Sequence, residues 1–279
     1  MDVVRIHEQL RELGLERLAE PILVGARPSI RLTTGAPSTG PENRLGGQPN
    51  LPPEIPWPRW NGDQALSFIA QFDLSTLPAV SGLPLPQHGS LFFFYDAQGP
   101  FSDFDPCSQG GTRVFYHDAP LTANPARDWP RGLEPDFCYH GVALTTALEL
   151  SMPAIEDFQR QYVVTNQEAE AYLTFAPLDY GEHRMGGNAV PINGGDPRLQ
   201  AVAVSHGLAV TTEGYDEARR RGLFSAAGEW LLLLQIDSGD YSAGMDFAGQ
   251  GGRIYYMVHQ DDLRRLCFDN VRLVLQYMI

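Results

Sequence analysis

Hydrophobic positions along the chain follow two different periods. Over residues 3–20, Ile6, Leu10, Leu13 and Leu18 fall near one face of a helix, Gly14 weakens its middle, and Pro21 stops it. From Pro28 the pattern becomes alternation, with Ile30 and Leu32 set between Ser29, Arg31 and Thr33, as in a half-buried strand. Residues 1–27 therefore read as an N-terminal helix packed on a domain that spans 28–279. A Gly- and Pro-rich stretch follows from Gly35 to Pro58 and includes Leu45-Gly46-Gly47-Gln48-Pro49 and Trp57. Such a stretch is neither helix interior nor central strand, and its length marks it as packed by its own side chains or functional.

Residues 66–73 read as a strand with Phe68, Ala70 and Phe72 on one face and Ile69, Gln71 and Asp73 on the other. Residues 91–95 are continuously apolar, which predicts a strand covered on both faces. Further strands are expected at 112–117, 142–150, 231–237, 253–258 and 271–277. Two short helices are expected between Pro153 and Ala176, and another over 260–266. A helix over 215–221 places Asp216 and Glu217 to pair with Arg220 and Arg221 at i,i+4, with Gly222 as its C-cap.

Two of these strands occur twice. Leu66-Ser67-Phe68-Ile69-Ala70-Gln71-Phe72-Asp73 followed by Gly89-Ser90-Leu91-Phe92 is echoed by Trp230-Leu231-Leu232-Leu233-Leu234-Gln235-Ile236-Asp237 followed by Gly252-Arg253-Ile254-Tyr255. Gln71 and Gln235 lie 164 positions apart, as do Asp73 and Asp237, and Gly89 and Gly252 lie 163 apart. Met185-Gly186-Gly187-Asn188 likewise echoes Leu45-Gly46-Gly47-Gln48 at an offset of 140. Near-constant offsets predict an internal duplication, with halves at about 28–150 and 180–279. The fold class expected is α+β, mainly antiparallel β, with two related, intertwined halves packed as one unit.

Composition narrows the partners. The 279 residues include 43% hydrophobic side chains, enough for a large core, yet no 18-residue apolar run suggests a membrane span. The charged N-terminus lacks an apolar signal core, and three scattered cysteines suit reduced thiols, so a cytoplasmic protein is expected. A formal charge of −14 argues against nucleic acid and leaves a basic protein, metal ions and neutral small molecules open as partners, with faster encounter expected for a basic protein. All 20 basic residues are Arg, which removes P-loop, Schiff-base and Ser/Lys chemistry.

The Gln-x-Asp pairs, Gln71 with Asp73 and Gln235 with Asp237, are the main candidates for a polar site. Each pair points to one side of its strand; convergence of all four would suit a cation, a polyol or hydrolytic chemistry. The structural alternative is that each Asp ends its strand and accepts loop amides. Asp96, Asp103 and Asp105, and Asp237, Asp240 and Asp246, do not match an EF-hand. Gly249-Gln250-Gly251-Gly252 precedes a strand, so a dinucleotide fingerprint is rejected. The histidines and cysteines show no zinc spacing, and no cofactor or metal is expected. Cys107 or Cys138 with a distant His is a generic nucleophile pairing only. Trp57, Trp60 and Trp129 are candidate partner anchors, with loop-to-core packing as the alternative.

The repeated strands, the two Gly-Gly turns, Pro28-Ser29-Ile30-Arg31-Leu32, Gly195-Asp196-Pro197-Arg198-Leu199 and residues 268–276 together resemble the YwqG-like family (DUF1963) of bacterial cytoplasmic proteins. Where that family tends to carry Trp-Gly-Asp, this chain has Met245-Asp246-Phe247. The resemblance implies an α+β fold of two related halves and no established activity. Some of its members sit near polymorphic toxin genes, which implies an immunity-like partner of a toxin. The functional expectation is a non-enzymatic protein-binding module; the other is a small-molecule- or cation-binding protein or hydrolase using the Gln-x-Asp carboxylates.

Overall fold

The alternation and the apolar runs become one large sheet. The computed structural model describes residues 3–99, 105–159, 162–176, 181–192, 195–247 and 251–277. In chain order the strands are β1 (Arg27–Pro37), β2 (Arg44–Leu45), β3 (Arg59–Trp60), β4 (Gln64–Ala65), β5 (Ser67–Asp73), β6 (Ser90–Tyr95), β7 (Thr112–His117), β8 (Val142–Ser151), β9 (His183–Met185), β10 (Trp230–Asp237), β11 (Gly252–His259) and β12 (Arg272–Tyr277). The helices are α1 (Val3–Glu12), α2 (Glu16–Gly25), α3 (Ile155–Gln159), α4 (Asn166–Phe175), α5 (Pro197–Ser205), α6 (Thr212–Arg220) and α7 (Gln260–Arg264).

β3 and β4 form a small separate hairpin; the other ten strands run β12–β11–β10–β9–β1–β8–β2–β5–β6–β7, with every neighbour antiparallel. The order has the same form from either end: a three-strand meander, a very short strand, then one of the two long central strands. The fold is thus α+β and mostly antiparallel.

The sheet curls so that its two meanders face each other across one core. Phe93 of β6 meets Tyr256 of β11 edge-on with ring centroids 5.0 Å apart, and Tyr95 meets Phe247 at 6.0 Å. The same cluster gathers Phe72 and Leu91 with Leu234, Ile236 and Ile254. Each outer face has its own cover. Leu51, Trp57 and Leu121 pack over Phe68, Phe92 and Phe94 on one side, while Ala201 and Val202 of α5 pack over Leu232, Tyr255 and Met257 on the other. β6 and β11 are therefore buried on both faces, as their unbroken apolar runs require. The sheet edges also approach: Gln109, just before β7, accepts from Leu273 N–H of β12 at 3.0 Å and donates to its carbonyl at 3.3 Å. Helices α1 to α4 share a further cluster built on Leu10, Leu15, Ile22, Phe158 and Tyr172.

Several local details differ from the sequence reading. The N-terminal helix is two helices, because Gly14 sits at φ +72°, a conformation that ends α1. Pro21 lies inside α2; the helix continues past it because Leu18, Ala19 and Ile22 are buried. In β5 a bulge between Phe68 and Ala70 inserts Ile69, so Phe68 faces the outer cluster while Ala70 and Phe72 face the inner core. β10 has the same bulge at Leu233, which separates Leu232 from Leu234. In α6 the ion pairs fall at i,i+3, Asp216 with Arg219 and Glu217 with Arg220, not at i,i+4.

Because the inner face of each meander is covered by the other, a fragment of residues 1–180 is expected to be insoluble or molten, without a cooperative thermal transition or dispersed amide spectrum. In the full chain, Phe93→Ala removes the ring that meets Tyr256 and should lower unfolding free energy by about 3–5 kcal/mol in urea titrations. A folded, cooperative fragment contradicts the shared core.

Candidate functional site

Each Gln-x-Asp strand clips a loop to the sheet, and the two clips use the same bonds. Gln71 Oε1 accepts from Asn50 N–H at 2.9 Å, and its Nε2 donates to the Glu42 carbonyl at 3.2 Å. Gln235 Oε1 accepts from Val190 N–H at 3.0 Å, and its Nε2 donates to the Glu182 carbonyl at 3.1 Å. Both amides are fully buried, so these partners answer the requirement that buried polar groups be bonded. The loops they hold begin at the Gly-Gly turns. Gly46 adopts φ +55°, and a Cβ there would lie 2.2 Å from the His140 carbonyl oxygen, so no other residue fits.

The aspartates complete the clips. Asp73 Oδ1 accepts from Ser75 N–H at 3.0 Å and Ser75 Oγ at 2.6 Å, and its own N–H donates to Asn43 Oδ1 at 2.8 Å. Asp237 Oδ1 accepts from Gly239 N–H at 2.7 Å, and its own N–H donates to His183 Nδ1 at 3.1 Å. Its Oδ2 accepts from Arg253 Nε at 2.7 Å and also from Nη2, in a pair whose side chains are each 1% exposed. Asn43 then donates to Thr76 Oγ1 at 2.8 Å, whereas His183 Nε2 faces Asp240 Oδ2 at 3.3 Å. Since His183 Nδ1 accepts a backbone N–H, its proton sits on Nε2 and is donated to Asp240. That bond, with further donation from Ser242 N–H and Thr34 Oγ1, holds the Asp240 carboxyl well below the usual carboxylate range.

The four residues do not converge. Gln71 and Asp73 lie on β5, Gln235 and Asp237 on β10, with four strands of the sheet between them, and none of the four lines the clefts described below. Sequence reading missed their partners Asn43, His183 and Arg253, and also Gln276. Gln276 repeats the motif on β12, accepting from Ile192 N–H at 3.0 Å and donating to the Gly195 carbonyl at 2.7 Å.

The tryptophans pack inward. Trp57 is buried, donates to the Leu66 carbonyl at 2.9 Å, and meets Phe94 and Trp129 edge-on at 5.4 and 5.9 Å. Trp60 and Trp129 pack on the same cluster. Asp103, Gly249 and Gln250 lie outside the described residues. Among the described residues no three His, Cys, Asp or Glu side chains are placed to hold a metal ion. A hydrogen bond to Asp105 pushes the Cys107 thiol up and burial pushes Cys138 up, both away from the reactive thiolate.

Three concavities lie beside the helices, and two of them take residues from both halves of the sheet, Arg31 and Glu149 in one and Leu83 in the other. The largest is a groove of about 1170 Å³ between α2, the start of α5 and α6. A pocket of about 250 Å³ adjoins it, walled by Trp230, Leu232, Met257 and Pro197 and sharing Arg198 and Asp157 with it. A third, of about 300 Å³, lies under α1 and α4. The groove carries both signs of charge: Arg17 pairs with Glu168 at 2.7 Å, Arg198 with Asp196 at 2.8 Å and Arg219 with Asp216 at 2.7 Å, while Arg27 donates to the Val24 and Ala26 carbonyls at 2.6 and 3.0 Å. Glu16 and Glu20, one turn apart on α2, are exposed and have no ion-pair partner among the described residues.

The two clips differ in charge, so their variants should differ in stability. Asp73→Asn keeps an acceptor oxygen for the Ser75 donors and loses only the charge, so it should cost about 1 kcal/mol or less, whereas Asp237→Asn leaves the buried Arg253 charge uncompensated and should cost about 3–5 kcal/mol by urea titration. Equal losses contradict the assignment. A second expectation concerns acid. The folded carboxyl of Asp240 titrates below its unfolded value of about 3.9, so its stabilisation is complete above that pH and fades as pH falls below it. The gap in urea midpoint between wild type and Asp240→Asn should therefore narrow from about pH 6 to about pH 3; a constant gap would refute it.

No curated protein matches the sequence. Residues 43–276, which contain both clips and nearly all of the sheet, match the family model described as Domain of unknown function (DUF1963), and the chain belongs to that family.

Proposed function

We propose that the chain is a non-enzymatic protein-binding module that accepts a basic segment of its partner in the groove beside α2. The observation that carries this reading is the pair Glu16 and Glu20, uncompensated carboxylates on the lip of the largest cleft. The aromatic side chains of Phe158, Tyr215 and Phe224 line the same groove and supply apolar contact for the stem of an Arg or Lys. A formal charge of −14 adds long-range attraction for a cationic protein and repels nucleic acid and anionic membrane. Pairing with a basic toxin in the cytoplasm, an immunity-like role, is the form this reading takes if the resemblance to toxin-linked relatives extends to this chain.

The two halves of the sheet are, in this reading, products of one internal duplication, supported by the matched clips, the matched bulges and the offsets of 163 and 164 across the paired strands.

A basic protein captured from the native host and then purified should associate with wild type at a rate that falls severalfold between about 50 and 300 mM salt. The double variant Glu16→Arg, Glu20→Arg should associate severalfold more slowly at low salt while its melting temperature stays unchanged, as judged by biolayer interferometry and calorimetry. Salt-independent association, or a double variant that binds like wild type, contradicts the proposal.

A further inference from the structure

Each meander carries one cross-strand pair on its outer face beside the bulge, Phe68 opposite Phe94 in the first and Leu232 opposite Met257 in the second. The two pairs are covered differently. On the first, the chain supplies a large ring of its own: Trp57 lies edge-on to Phe94 with centroids 5.4 Å apart and donates to the Leu66 carbonyl at 2.9 Å. On the second, α5 presents the short side chains of Ala201 and Val202. Beside them lies the pocket of about 250 Å³, walled by Trp230, Leu232, Met257 and Pro197. By its place over the strand pair, this pocket corresponds to the position that Trp57 takes on the other meander.

Size and lining define what the pocket accepts. Pockets that enclose whole small molecules start at about 300 Å³, so this one suits a single ring. Its rim carries both signs of charge. Arg198 is paired with Asp196 and Asp157, Arg27 donates to the Val24 and Ala26 carbonyls, and Glu156 adds a carboxylate. A charged group of either sign would meet a like charge there. An uncharged aromatic ring avoids that cost and gains contact with the Trp230 ring and the Met257 sulfur.

The pocket adjoins the groove, and Arg27, Asp157, Asn188 and Arg198 line both. Two further groove residues, Val24 at 69% and Tyr162 at 40%, are large apolar side chains left exposed, as on a surface that meets another protein. Glu16 and Glu20 lie about 6 Å apart along α2, the span of residues i and i+2 in an extended chain. From Glu20 to Arg27 is at most about 15 Å, which about four extended residues bridge.

We propose that this pocket takes an aromatic side chain of the partner protein, set about four residues along the chain from the basic residues that meet Glu16 and Glu20. The proposal rests on the groove reading only for what brings the ring to the pocket; the placement of the ring stands on the pocket itself.

Three peptides with blocked ends and free indole test the two separately. The first is Arg-Ser-Arg-Ser-Ser-Ser-Trp, the second has Ser in place of Trp, and the third has Ser in place of both Arg. Each is titrated against the full chain carrying carbon-13 methionine methyls, by nuclear magnetic resonance. The first should shift the Met257 methyl saturably with a dissociation constant of about 0.1 mM, and bind about tenfold more tightly than the second, which should leave that methyl unmoved. The proposal is overturned if the first peptide leaves Met257 unmoved up to about 10 mM, if the first two act alike on affinity or on that methyl, or if free indole binds as tightly as the first peptide. The groove reading is judged apart from this. The first peptide should bind about tenfold more tightly than the third, and equality there contradicts the groove while the ring keeps its place in the pocket.

Discussion

A buried glutamine amide is the interaction on which both ends of this sheet depend. Strands that are covered on both faces leave little room for loops, yet the chain must return from each meander to the centre of the sheet. Gln71 and Gln235 solve this by holding loop backbone as though it were another strand, taking one N–H and giving one to a carbonyl. The short strands β2 and β9 run between those carbonyls and the Gly-Gly turns, so they owe their place to the same amides. Without an amide at these positions, the Asn50 and Val190 N–H groups and the Glu42 and Glu182 carbonyls would lose their partners on the sheet.

The β10–β12 end of the sheet has the same frame, with charged groups where the β5–β7 end has neutral ones. Asn43 and Thr76 stand where His183 and Asp240 stand, and Asp237 gains Arg253 where Asp73 has Ser90 opposite. Arg44 is closed by carbonyls, whereas Arg184 turns to carboxylates beside a cavity. Charged pairs in a dry interior are poor sources of stability compared with apolar packing, so their concentration on one side suggests function more than fold. The largest of the clefts lies among helices, none of which comes from residues 28–150.

Much of this architecture was legible in the sequence. Alternation and apolar runs located most of the strands to within a residue or two, although β1 runs on to Pro37, four residues past the alternation and into the Gly- and Pro-rich stretch, and the Gln-x-Asp offset marked the two meanders. Very short strands were not legible: Arg44–Leu45 and His183–Met185 carry no periodic signal, since their place depends on partners far along the chain. The helix Pro197–Ser205 was missed although Asp196 as N-cap and Pro197 at the first turn announce it. Bulges at Ile69 and Leu233 reverse the face of the residues before them, which alternation alone cannot register. Of the site, the motif residues were found but not their meaning. Nothing local distinguishes a glutamine that binds a ligand from one that binds a loop, and the pocket beside Trp230 is assembled from α5, β10, β11 and the Gly186-Gly187 turn.

Hydrogen exchange tests the central claim, that two side-chain amides fasten two loops to a doubly covered sheet. The Asn50 and Val190 amides lie outside regular structure and, among the described residues, donate to Gln71 and Gln235. They should exchange as slowly as the amides of β6 and β11, with opening free energies near that of global unfolding. Exchange at the rate of an exposed loop at either position would show that the clip is not what holds the fold.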